Sequence, residues 1–581
     1  MSYDIIIGRD DSDKKKFGDR GLVKIGKGFV KMGQYTSLSN NIYLDVARSH
    51  VILVAGKRGC LEGNTLVFTD KGYKKIKEFD KVEDKILSFN KDKREFEWEN
   101  AELLKYSMDD EELFKIVLED RRELILTSEH PLLVSYGNRL LSLLWVNANN
   151  LRIGDKLLSF DNFNNDYAEI PIKNISKVNG INDVYDLSVP KNHSFIANGI
   201  ISHNSGKSYT LGTIAEELSQ LPIEARKNIA PIIFDTMGIF WTMKYENEKE
   251  KNLLSEWDLK PKKLPVKVFV PHGYFNEFVD KGIPVDEPFA LKISELSAED
   301  WVLIFGLNII EPAAVLIERV IYDLKNKGDF DISDIISRIR GDVNSMPNEK
   351  NAALGLFEAA TTWGVFSKKG EKETSIKDLI TPGTTTVLDL SVYNSVGAFN
   401  VRALVIGLVS RKLFNERMFS RKKEEVESVR HGSDYLSYAQ EREVPLVWVF
   451  IDEAHEFLPR EGKTSATDAL IQILREGRQP GLSLVLATQQ PGQIHKDVMT
   501  QSDIVISHRL TAQPDIAALN EVMQTYLTEN IRKYIDELPH LKGSAIILDD
   551  NSERIYPMRV RPRFTWHGGE APSAVKIEKR F

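Results

Sequence analysis

The strongest constraint on this chain is a phosphate-binding loop whose two halves are separated by an insertion. The first half, Gly56-Lys-Arg-Gly59, follows the apolar, strand-like run Val51–Ala55. The second half, Ser205-Gly-Lys-Ser208, precedes the helical run Tyr209–Leu221. Removing Cys60–Asn204 joins the halves into G-x-x-x-x-G-K-S between a strand and a helix, the pattern of a nucleotide phosphate loop. Because this pattern arises by chance on the order of once in tens of thousands of positions, we expect one nucleotide-binding domain around an inserted segment.

The two ends of the inserted segment carry reactive side chains. Cys60, the one cysteine of the chain, opens the segment, and Asn204 closes it directly before Ser205. With the internal blocks, this order of residues resembles the self-splicing inteins. The resemblance implies a Hint fold and, at this length, a mini-intein that splices without an endonuclease. The matching blocks are Cys60-Leu-Glu-Gly-Asn-Thr-Leu-Val, Thr127-Ser-Glu-His130 and Val184-Tyr-Asp-Leu through His193 to Ser202-His-Asn204. Independently of the resemblance, alternation of apolar and polar residues favours strands at Thr65–Phe68, Leu113–Leu118 and Glu123–Thr127.

The resemblance implies how the amino end of the segment reacts. Cys60 would attack the carbonyl of Gly59 and move the upstream acyl group from nitrogen to sulfur. The ordinary pKa of a thiol is about 8.5, so this step needs a base or a lowered pKa. Thr127 and His130 match the motif that polarises and protonates the scissile amide. Asp186 matches a residue that exchanges protons with Cys60 or with the downstream nucleophile.

The carboxyl end of the segment is implied to complete the reaction. Ser205 would take the upstream chain from the thioester as an ester. Asn204 would cyclise through its side-chain nitrogen and release the segment, with His203 and His193 as proton donors or acceptors. A final shift from oxygen to nitrogen would leave an ordinary peptide bond between Gly59 and Ser205.

Outside the insertion, apolar runs alternate with helical patterns, which favours a doubly wound α/β core. One run ends in Asp452 and Glu453. ATP hydrolysis needs one carboxylate in the Mg²⁺ shell and one that orients the attacking water. Asp452, with Ser208, fits the first role, and Glu453 fits the second; His455 is interpreted as structural. The predicted strands are Ile229–Asp235, Thr384–Leu390, Leu446–Ile451, Ser483–Ala487 and Asp503–Ser507, and Leu291–Ser367 is predicted to be mostly helical.

A further strand end, Ala487-Thr-Gln-Gln-Pro491, resembles the HerA, FtsK and VirB4 branch of P-loop motor ATPases. The resemblance implies a RecA-like, hexameric motor using ATP and Mg²⁺. Gln489 would sense the γ-phosphate, and Arg478, with Arg475 as the alternative, would act on a neighbouring subunit. The residues implied to hold the ATP phosphates are Gly56, Gly59, Ser205, Gly206, Lys207 and Ser208.

The HerA resemblance extends to the carboxyl end, Arg559-Val-Arg561-Pro-Arg563, but is incomplete at the amino end. HerA proteins carry a β-barrel before the motor, and here 59 residues precede the insertion. Strand-like pieces at Asp4–Gly8, Gly21–Lys31 and Ile42–Val46 predict only a small β unit. A HerA-like relative is therefore the safer interpretation, and a NurA-type nuclease partner stays open.

Composition and charge narrow the class of protein. The chain is 42% hydrophobic and 28% charged, as expected of a globular protein. One cysteine excludes intrachain disulfides and fits a reducing compartment, so we expect a cytoplasmic protein. The net charge of -8 neither predicts nor excludes DNA binding. A DNA translocase is the preferred function, a VirB4-like protein or conjugative transport motor is the alternative, and a nucleotide-dependent scaffold without motor activity is disfavoured by Asp452 and Glu453.

These patterns together predict six regions. They are an amino-terminal β unit with the first half of the phosphate loop (1–59), the mini-intein (60–204), the first part of the ATPase core (205–290), a helical insertion (291–380), the second part of the core (381–550) and a basic carboxyl-terminal tail (551–581).

Splicing is expected to release a 145-residue segment and a host protein made of the other 436 of the 581 residues. Intact-mass measurement after expression and warm, reducing incubation checks this. Cys60→Ala should stop the first acyl shift, and Asn204→Ala should block release at the carboxyl end. Equal splicing by Cys60→Ala would contradict the assigned chemistry.

Overall fold

The computed structural model describes residues 4–567 except 33–34, 57–60, 81–82, 91–94, 100, 108–112, 128–129, 137–141, 149–150, 162–165, 179–182, 189–193, 204–206, 371–372, 395–398, 432–441, 509, 511–512, 524–530, 540 and 542. The chain divides into two compact units. The host unit comprises Met1–Ala55, Lys207–Ser507 and Leu538–His567. The second unit, here called the inserted unit, comprises Gly56–Gly206 together with His508–Glu537 and Gly568–Phe581.

The amino-terminal part of the host unit consists of strands and one short helix. Asp10 caps this helix by accepting a hydrogen bond from the backbone N–H of Asp13. The last strand of this part leads directly to the first half of the phosphate loop. The elements are β1 Ile5–Ile7, α1 Asp11–Phe17, β2 Leu22–Met32, β3 Tyr35–Asp45 and β4 Val51–Ala55.

The described part of the segment from 61 to 203 is built from strands. Apolar side chains alternate along them, so Leu124 and Leu126 are buried while Glu123 is exposed. The predicted strands at Leu113–Leu118 and Glu123–Thr127 are confirmed, the second one residue shorter. The strands are β5 Leu61–Glu62, β6 Leu66–Thr69, β7 Gly72–Lys75, β8 Ile86–Asn90, β9 Glu95–Glu99, β10 Glu102–Ser107, β11 Leu113–Leu118, β12 Glu123–Leu126, β13 Pro131–Tyr136, β14 Ser142–Asn147, β15 Lys156–Asp161, β16 Asp166–Val178, β17 Asp183–Ser188, β18 Ser194–Ala197 and β19 Ile200–His203.

After the insertion, strands and helices alternate. No helix among the described residues is long and apolar enough to cross a membrane. The strands are β20 Ile229–Asp235, β21 Val266–Pro271, β22 Glu287–Phe289, β23 Thr385–Asp389, β24 Leu446–Ile451, β25 Leu482–Thr488, β26 Ile504–Ser507, β27 Ser544–Asp549 and β28 Arg554–Val560. The helices are α2 Lys207–Ser219, α3 Ile223–Arg226, α4 Lys251–Glu256, α5 Phe275–Asp280, α6 Ala298–Ile304, α7 Pro312–Lys325, α8 Ile332–Arg340, α9 Pro347–Ala360, α10 Ile376–Leu379, α11 Phe399–His431, α12 Thr467–Glu476, α13 Lys496–Gln501, α14 Gln513–Met523 and α15 Ile531–Asp536.

Thirteen of the described host strands form one sheet, in the order β1-β3-β2-β28-β27-β26-β4-β25-β24-β20-β23-β21-β22. The strands from β26 to β22 along this order are parallel. Their central members are buried along nearly their whole length, as expected when helices cover both faces of a parallel sheet. The five strands predicted from apolar runs are confirmed, with bounds that agree within one residue. Strand β4 lies between β25 and β26, so the phosphate loop leaves the middle of the sheet.

The prediction of a basic carboxyl-terminal tail is wrong for residues 554–567. Strand β28 pairs antiparallel with β27 and with β2, which joins the amino-terminal strands to the same sheet. The predicted small β unit is therefore an extension of the core sheet, in which β2 pairs antiparallel with β28 and β3, and β1 pairs parallel with β3. Alternating apolar residues in this segment, such as Met558 and Val560, are buried and explain why it forms a strand.

Two arginines of this segment are buried against helix α2. The side chains of Arg561 and Arg563 are fully buried, and both form ion pairs with the fully buried Glu216. The distances are 2.8 Å from Arg561 Nη1 to Glu216 Oε2 and 3.1 Å from Arg563 Nε to Glu216 Oε1. At Gly212, a Cβ atom would lie 2.5 Å from Arg563 Cζ, so a larger residue there would require the Arg563 side chain to shift. These two cations are therefore structural and are removed from any nucleic-acid-binding surface.

His50, which precedes β4, lies between two carboxylates of the host unit. Its Nδ1 lies 2.5 Å from Asp503 Oδ2, and its Nε2 lies 3.5 Å from Asp45 Oδ2. Burial alone lowers the pKa of His50, but the interactions with Asp45 and Asp503 outweigh it and raise that pKa to about 9. His50 is therefore an imidazolium at neutral pH.

The stability of the host unit should fall as the pH rises from about 6.5, the ordinary pKa of histidine, to about 9. A group whose pKa is raised by folding stabilises the folded state fully at a pH below its unfolded-state pKa. This stabilisation is lost as the pH rises through the folded-state pKa and the group deprotonates. The expected loss in the free energy of unfolding is about 3 kcal/mol. Calorimetric melting of the intact chain between pH 6 and pH 10 measures it.

His50→Gln is the control for this pH dependence. The variant should melt lower at neutral pH and should lack the histidine-dependent decline toward pH 9. An identical pH slope in the variant and the original chain would contradict the assignment of a charged His50.

Candidate functional site

The two elements that flank the interrupted phosphate loop belong to the host unit. Strand β4 ends at Ala55, and Gly56 follows it as a buried residue. Helix α2 begins at Lys207 and buries Leu211, Ile214 and other apolar residues in the host core. Of the predicted phosphate-binding residues, Gly59, Ser205 and Gly206 lie outside the described residues, and Lys207 is described in its backbone alone. The strand and helix of the predicted motif are thus both in place.

The first turn of α2 contacts the end of β24. Ser208 Oγ donates a hydrogen bond to Asp452 Oδ2 at 2.5 Å. Asp452 is buried, with 3% of its surface exposed, and it is also the acceptor for the backbone N–H of Glu453. A hydroxyl and a carboxylate oxygen are ligands that suit Mg²⁺, which usually keeps several waters and takes one or two carboxylates beside substrate phosphates. These side chains therefore fit the metal role predicted for them.

Glu453 has an uncommon backbone conformation. Its φ is 50°, in the left-handed region that residues other than glycine rarely adopt. Such conformations cost roughly 1–3 kcal/mol and cluster at functional sites. The side chain is met by Gln489, whose Nε2 donates to Glu453 Oε1. The predicted water-orienting carboxylate and the predicted phosphate sensor are therefore in direct contact.

His455 connects the ends of β24 and β25. Its Nδ1 lies 3.2 Å from Thr488 Oγ1 and 3.7 Å from Glu453 Oε2, and its Nε2 lies 3.5 Å from Gln490 Nε2. The sequence interpretation treated His455 as structural, although its position two residues after Glu453 was a signal. In the structure it contacts the same carboxylate as Gln489 and supports its placement.

A second pair of carboxylates lies at the same edge of the sheet. Asp235 ends β20 and Asp389 ends the adjacent β23, and the two residues are register partners. Burial, followed by the charge of Asp389, raises the pKa of Asp235 to about 8. Burial also raises the pKa of Asp389. This pair was missed from the sequence, although each aspartate directly follows an apolar run.

The two candidate arginines lie at the opposite edge of the sheet. Arg478 is in the turn before β25, whereas Gln489 directly follows the carboxyl end of that strand. Seven residues of strand span about 23 Å. Arg478 Nη2 donates to the carbonyl of Gln501 at 2.6 Å, and Arg475 pairs with Asp497 at 2.6 Å. The structure therefore does not bring either arginine to Glu453 of the same subunit.

In the inserted unit, two predicted splicing residues are buried together. Thr127 follows β12, and His130 precedes β13. The backbone N–H of His130 donates to the carbonyl of Thr127 at 3.1 Å, and the ring of His130 meets the edge of Phe195 at 6.4 Å. This hydrogen bond holds the threonine after β12 next to the histidine before β13.

Strand pairing brings the first and last described strands of the inserted segment to β12 and β13, the strands that flank Thr127 and His130. Leu61, the residue after Cys60, pairs with Leu126 and with Tyr185, which directly precede Thr127 and Asp186. At the other end, Ser202 pairs with Leu132 of β13. Cys60, His193 and Asn204 lie outside the described residues, and Asp186 and His203 are described in their backbones alone. The described register therefore places Thr127 and His130 between the first and last strands of the segment.

Three families match consecutive parts of the chain. Residues 66–204 match the intein splicing domain, residues 205–411 match the central domain of helicase HerA, and residues 410–514 match zonular occludens toxin (Zot). The last match contains Asp452, Glu453 and Gln489.

Curated relatives align with limited parts of the chain. The DNA double-strand break repair helicase HerA of Pyrococcus furiosus is 27% identical over 184 residues, which are 29% of this chain and 31% of that protein. The probable DNA double-strand break repair helicase HerA of Methanocaldococcus jannaschii is 38% identical over 69 residues, 12% of this chain and 14% of that protein. The chain thus spans less than a third of the length of either relative.

Among solved structures, a DnaB intein from Synechocystis sp. PCC 6803 is 22% identical, with 26% of this chain and 99% of that chain covered and a TM-score of 0.22. The assignment of the inserted segment rests on the family match. The chain therefore combines an intein splicing domain with a P-loop domain of the helicase HerA type. It is an intein-containing HerA-like protein.

Proposed function

We propose that this chain is the precursor of a HerA-like ATPase that couples ATP hydrolysis to movement along duplex DNA. Excision of Cys60–Asn204 completes its phosphate loop. The observation that carries the ATPase proposal is the preformed arrangement at the carboxyl edge of the sheet, where Ser208 bonds Asp452 and Gln489 bonds Glu453. A DNA substrate is supported by the HerA relatives, whose names describe DNA repair helicases.

Each residue of the host site has one task in this proposal. Backbone N–H groups of the joined loop and the ammonium of Lys207 hold the ATP phosphates. Ser208 and Asp452 hold Mg²⁺, which supplies charge stabilisation at the phosphates when bound. Glu453 accepts a hydrogen bond from the attacking water, while Gln489 keeps that carboxylate oriented until nucleotide enters. His455 steadies the same carboxylate from the other side.

Splicing proceeds in this proposal by successive acyl transfers and the cyclisation of an asparagine. The sulfur of Cys60 replaces the nitrogen on the carbonyl of Gly59, and Ser205 Oγ then displaces that sulfur. Asn204 Nδ2 attacks its own carbonyl, which releases the amino group of Ser205, and that amino group takes the acyl chain from its own oxygen. His130 and Thr127 act on the first peptide bond, while His193, His203 and Asp186 move protons. The pairing of β5 with β12, which precedes Thr127, and of β19 with β13, which follows His130, supports this assignment.

The whole assembly is proposed as a hexameric, RecA-like ring with the domain boundaries given above, except that the second part of the core extends through β28. The helices α6 to α9 occupy Ala298–Ala360 of the predicted insertion, and the buried Trp301 of α6 packs against Phe357 of α9. A cytoplasmic location and a NurA-type nuclease partner complete the proposal. The transport-motor alternative has no specific observation in its favour.

The unspliced chain should not bind ATP productively, because the loop N–H groups and Lys207 form one cradle only after Gly59 and Ser205 are joined. Nucleotide binding is compared between the spliced protein and the splice-blocked double variant Cys60→Ala, Asn204→Ala. Spliced Lys207→Ala sets the level expected without a working loop. Equal affinity in the blocked and spliced proteins would show that the insertion leaves the loop formed.

Arg478 should act across a subunit boundary. Spliced Arg478→Ala should retain nucleotide binding and lose hydrolysis by about 10³-fold, the contribution typical of an arginine supplied in trans. Mixing it with spliced Glu453→Gln, whose own site is inactive but whose Arg478 is intact, should restore part of the activity. No recovery, in rings shown to be mixed by native mass, would favour a role of Arg478 within its own subunit or Arg475 as the finger.

Duplex DNA should stimulate the ATPase of the spliced protein, since a translocase uses its substrate to drive the hydrolytic cycle. The measurement compares ATP turnover with duplex DNA, single-stranded DNA and an unfolded polypeptide, with Glu453→Gln as the blank. Stimulation by the polypeptide alone would support the transport motor and contradict the DNA translocase.

A further inference from the structure

Five side chains of alternating charge form a continuous row in the host unit, from the amino-terminal strands to the turn before β25. We call it the charge row: Arg9, Asp45, His50, Asp503 and Arg478. The guanidinium of Arg9 bonds Asp45, and Asp45 Oδ2 lies 3.5 Å from His50 Nε2. His50 Nδ1 lies 2.5 Å from Asp503 Oδ2, and Asp503 Oδ1 lies 3.5 Å from Arg478 Nη2. The row therefore links the amino-terminal strands to the candidate intersubunit arginine.

The row is buried from Arg9 to His50, so the charges of these members depend on one another. The side chains of Arg9 and Asp45 are fully buried, and that of His50 is 3% exposed. Burial raises the pKa of Asp503, but its hydrogen bond with His50 and the charges of His50 and Arg478 give a net lowering. A buried charge that loses its partner is strongly destabilised. Each member is consequently held by its neighbours.

Asp503 is the point where the row meets the sheet. It precedes β26, and its Oδ1 accepts a hydrogen bond from the backbone N–H of Val51 at 2.7 Å. Val51 is the first residue of β4, the strand that leads to the phosphate loop. One carboxylate therefore touches the phosphate-loop strand, the buried imidazolium and the guanidinium of Arg478.

Arg478 is bound by groups of its own subunit on one side, and the other side of its side chain is exposed. Its guanidinium donates to the carbonyl of Gln501 and faces Asp503, while 46% of its side chain remains exposed. Arg475 offers a natural comparison, since it pairs with Asp497 and is 58% exposed. Asp497 therefore stands to Arg475 as Asp503 stands to Arg478, and replacing Asp497 is the matched control for replacing Asp503.

We infer that His50 and Asp503 are positioning residues for Arg478, through which the amino-terminal strands influence ATP hydrolysis in the neighbouring subunit. This inference rests on the proposed function of Arg478. An arginine that is already oriented loses less side-chain freedom when it meets a phosphate, so more of its interaction stabilises the transition state. The charge row supplies that orientation from buried groups distant from the nucleotide.

The test uses spliced rings of Asp503→Asn and Asp497→Asn. Asparagine keeps the shape of the side chain and an acceptor for Val51 N–H, and it removes the charge that faces Arg478. Asp503→Asn should hydrolyse ATP at least about tenfold more slowly, part of the roughly 10³-fold that an arginine finger supplies. Nucleotide affinity and ring mass should be unchanged, and Asp497→Asn should turn over ATP at the original rate.

Mixed rings separate positioning from a general loss of structure. Asp503→Asn subunits retain Ser208, Asp452 and Glu453, so Glu453→Gln subunits with an intact charge row should restore part of their activity. A subunit that is merely damaged would not be rescued in this way. If Asp503→Asn does not assemble, His50→Gln takes its place with the same expectation.

The outcomes distinguish this inference from the proposed function. Full hydrolysis by Asp503→Asn, while Arg478→Ala is inactive, overturns the inference and leaves the role of Arg478 standing. Loss without rescue in mixed rings, or equal loss in Asp497→Asn, also overturns it. Full hydrolysis by Arg478→Ala contradicts the proposed function itself, and the inference falls with it.

Discussion

The hydrogen-bond ladders on both sides of β4 are the constraint on which the nucleotide site depends. Ala55 pairs with Thr488 of β25 on one side and with Ser507 of β26 on the other. Because parallel strands end at one common edge, these ladders align the end of β4 with Gln489 after β25, and β24 adds Asp452 at the same edge. The insertion begins after this strand has ended, so it interrupts the loop and leaves the ladders whole.

Much of the site was predictable because the relevant residues directly follow apolar runs. The residue pattern that predicts β24 also gives the position of Asp452 and Glu453 at its end, and the split motif gives β4 and α2. The residue types of the two motifs assign Ser208 and Asp452 to one Mg²⁺ site, and in the structure these side chains share a 2.5 Å hydrogen bond. The strand content of the inserted segment followed from alternation in the same manner.

Other features depend on contacts between residues far apart in sequence, which periodicity does not encode. Arg561 and Arg563 look like a solvated basic stretch until Glu216, some 345 residues earlier, is placed against them. The alternation of β28 is masked by its three neighbouring arginines, so its pairing with β2 was missed. The left-handed backbone of Glu453 is equally invisible in the sequence, since glutamate has no intrinsic preference for that conformation.

The location of the insertion between β4 and α2 also affects the chain entropy of the host. In the translated chain these two packed elements are joined by about 150 residues, and after excision by six, and closing the longer connection costs up to about 3 kcal/mol more if it is a flexible coil. A folded inserted unit is not a flexible coil, so much of this cost is avoided while it stays folded. Excision would then remove this entropy cost permanently, because only six residues would connect β4 and α2 once the loop is restored.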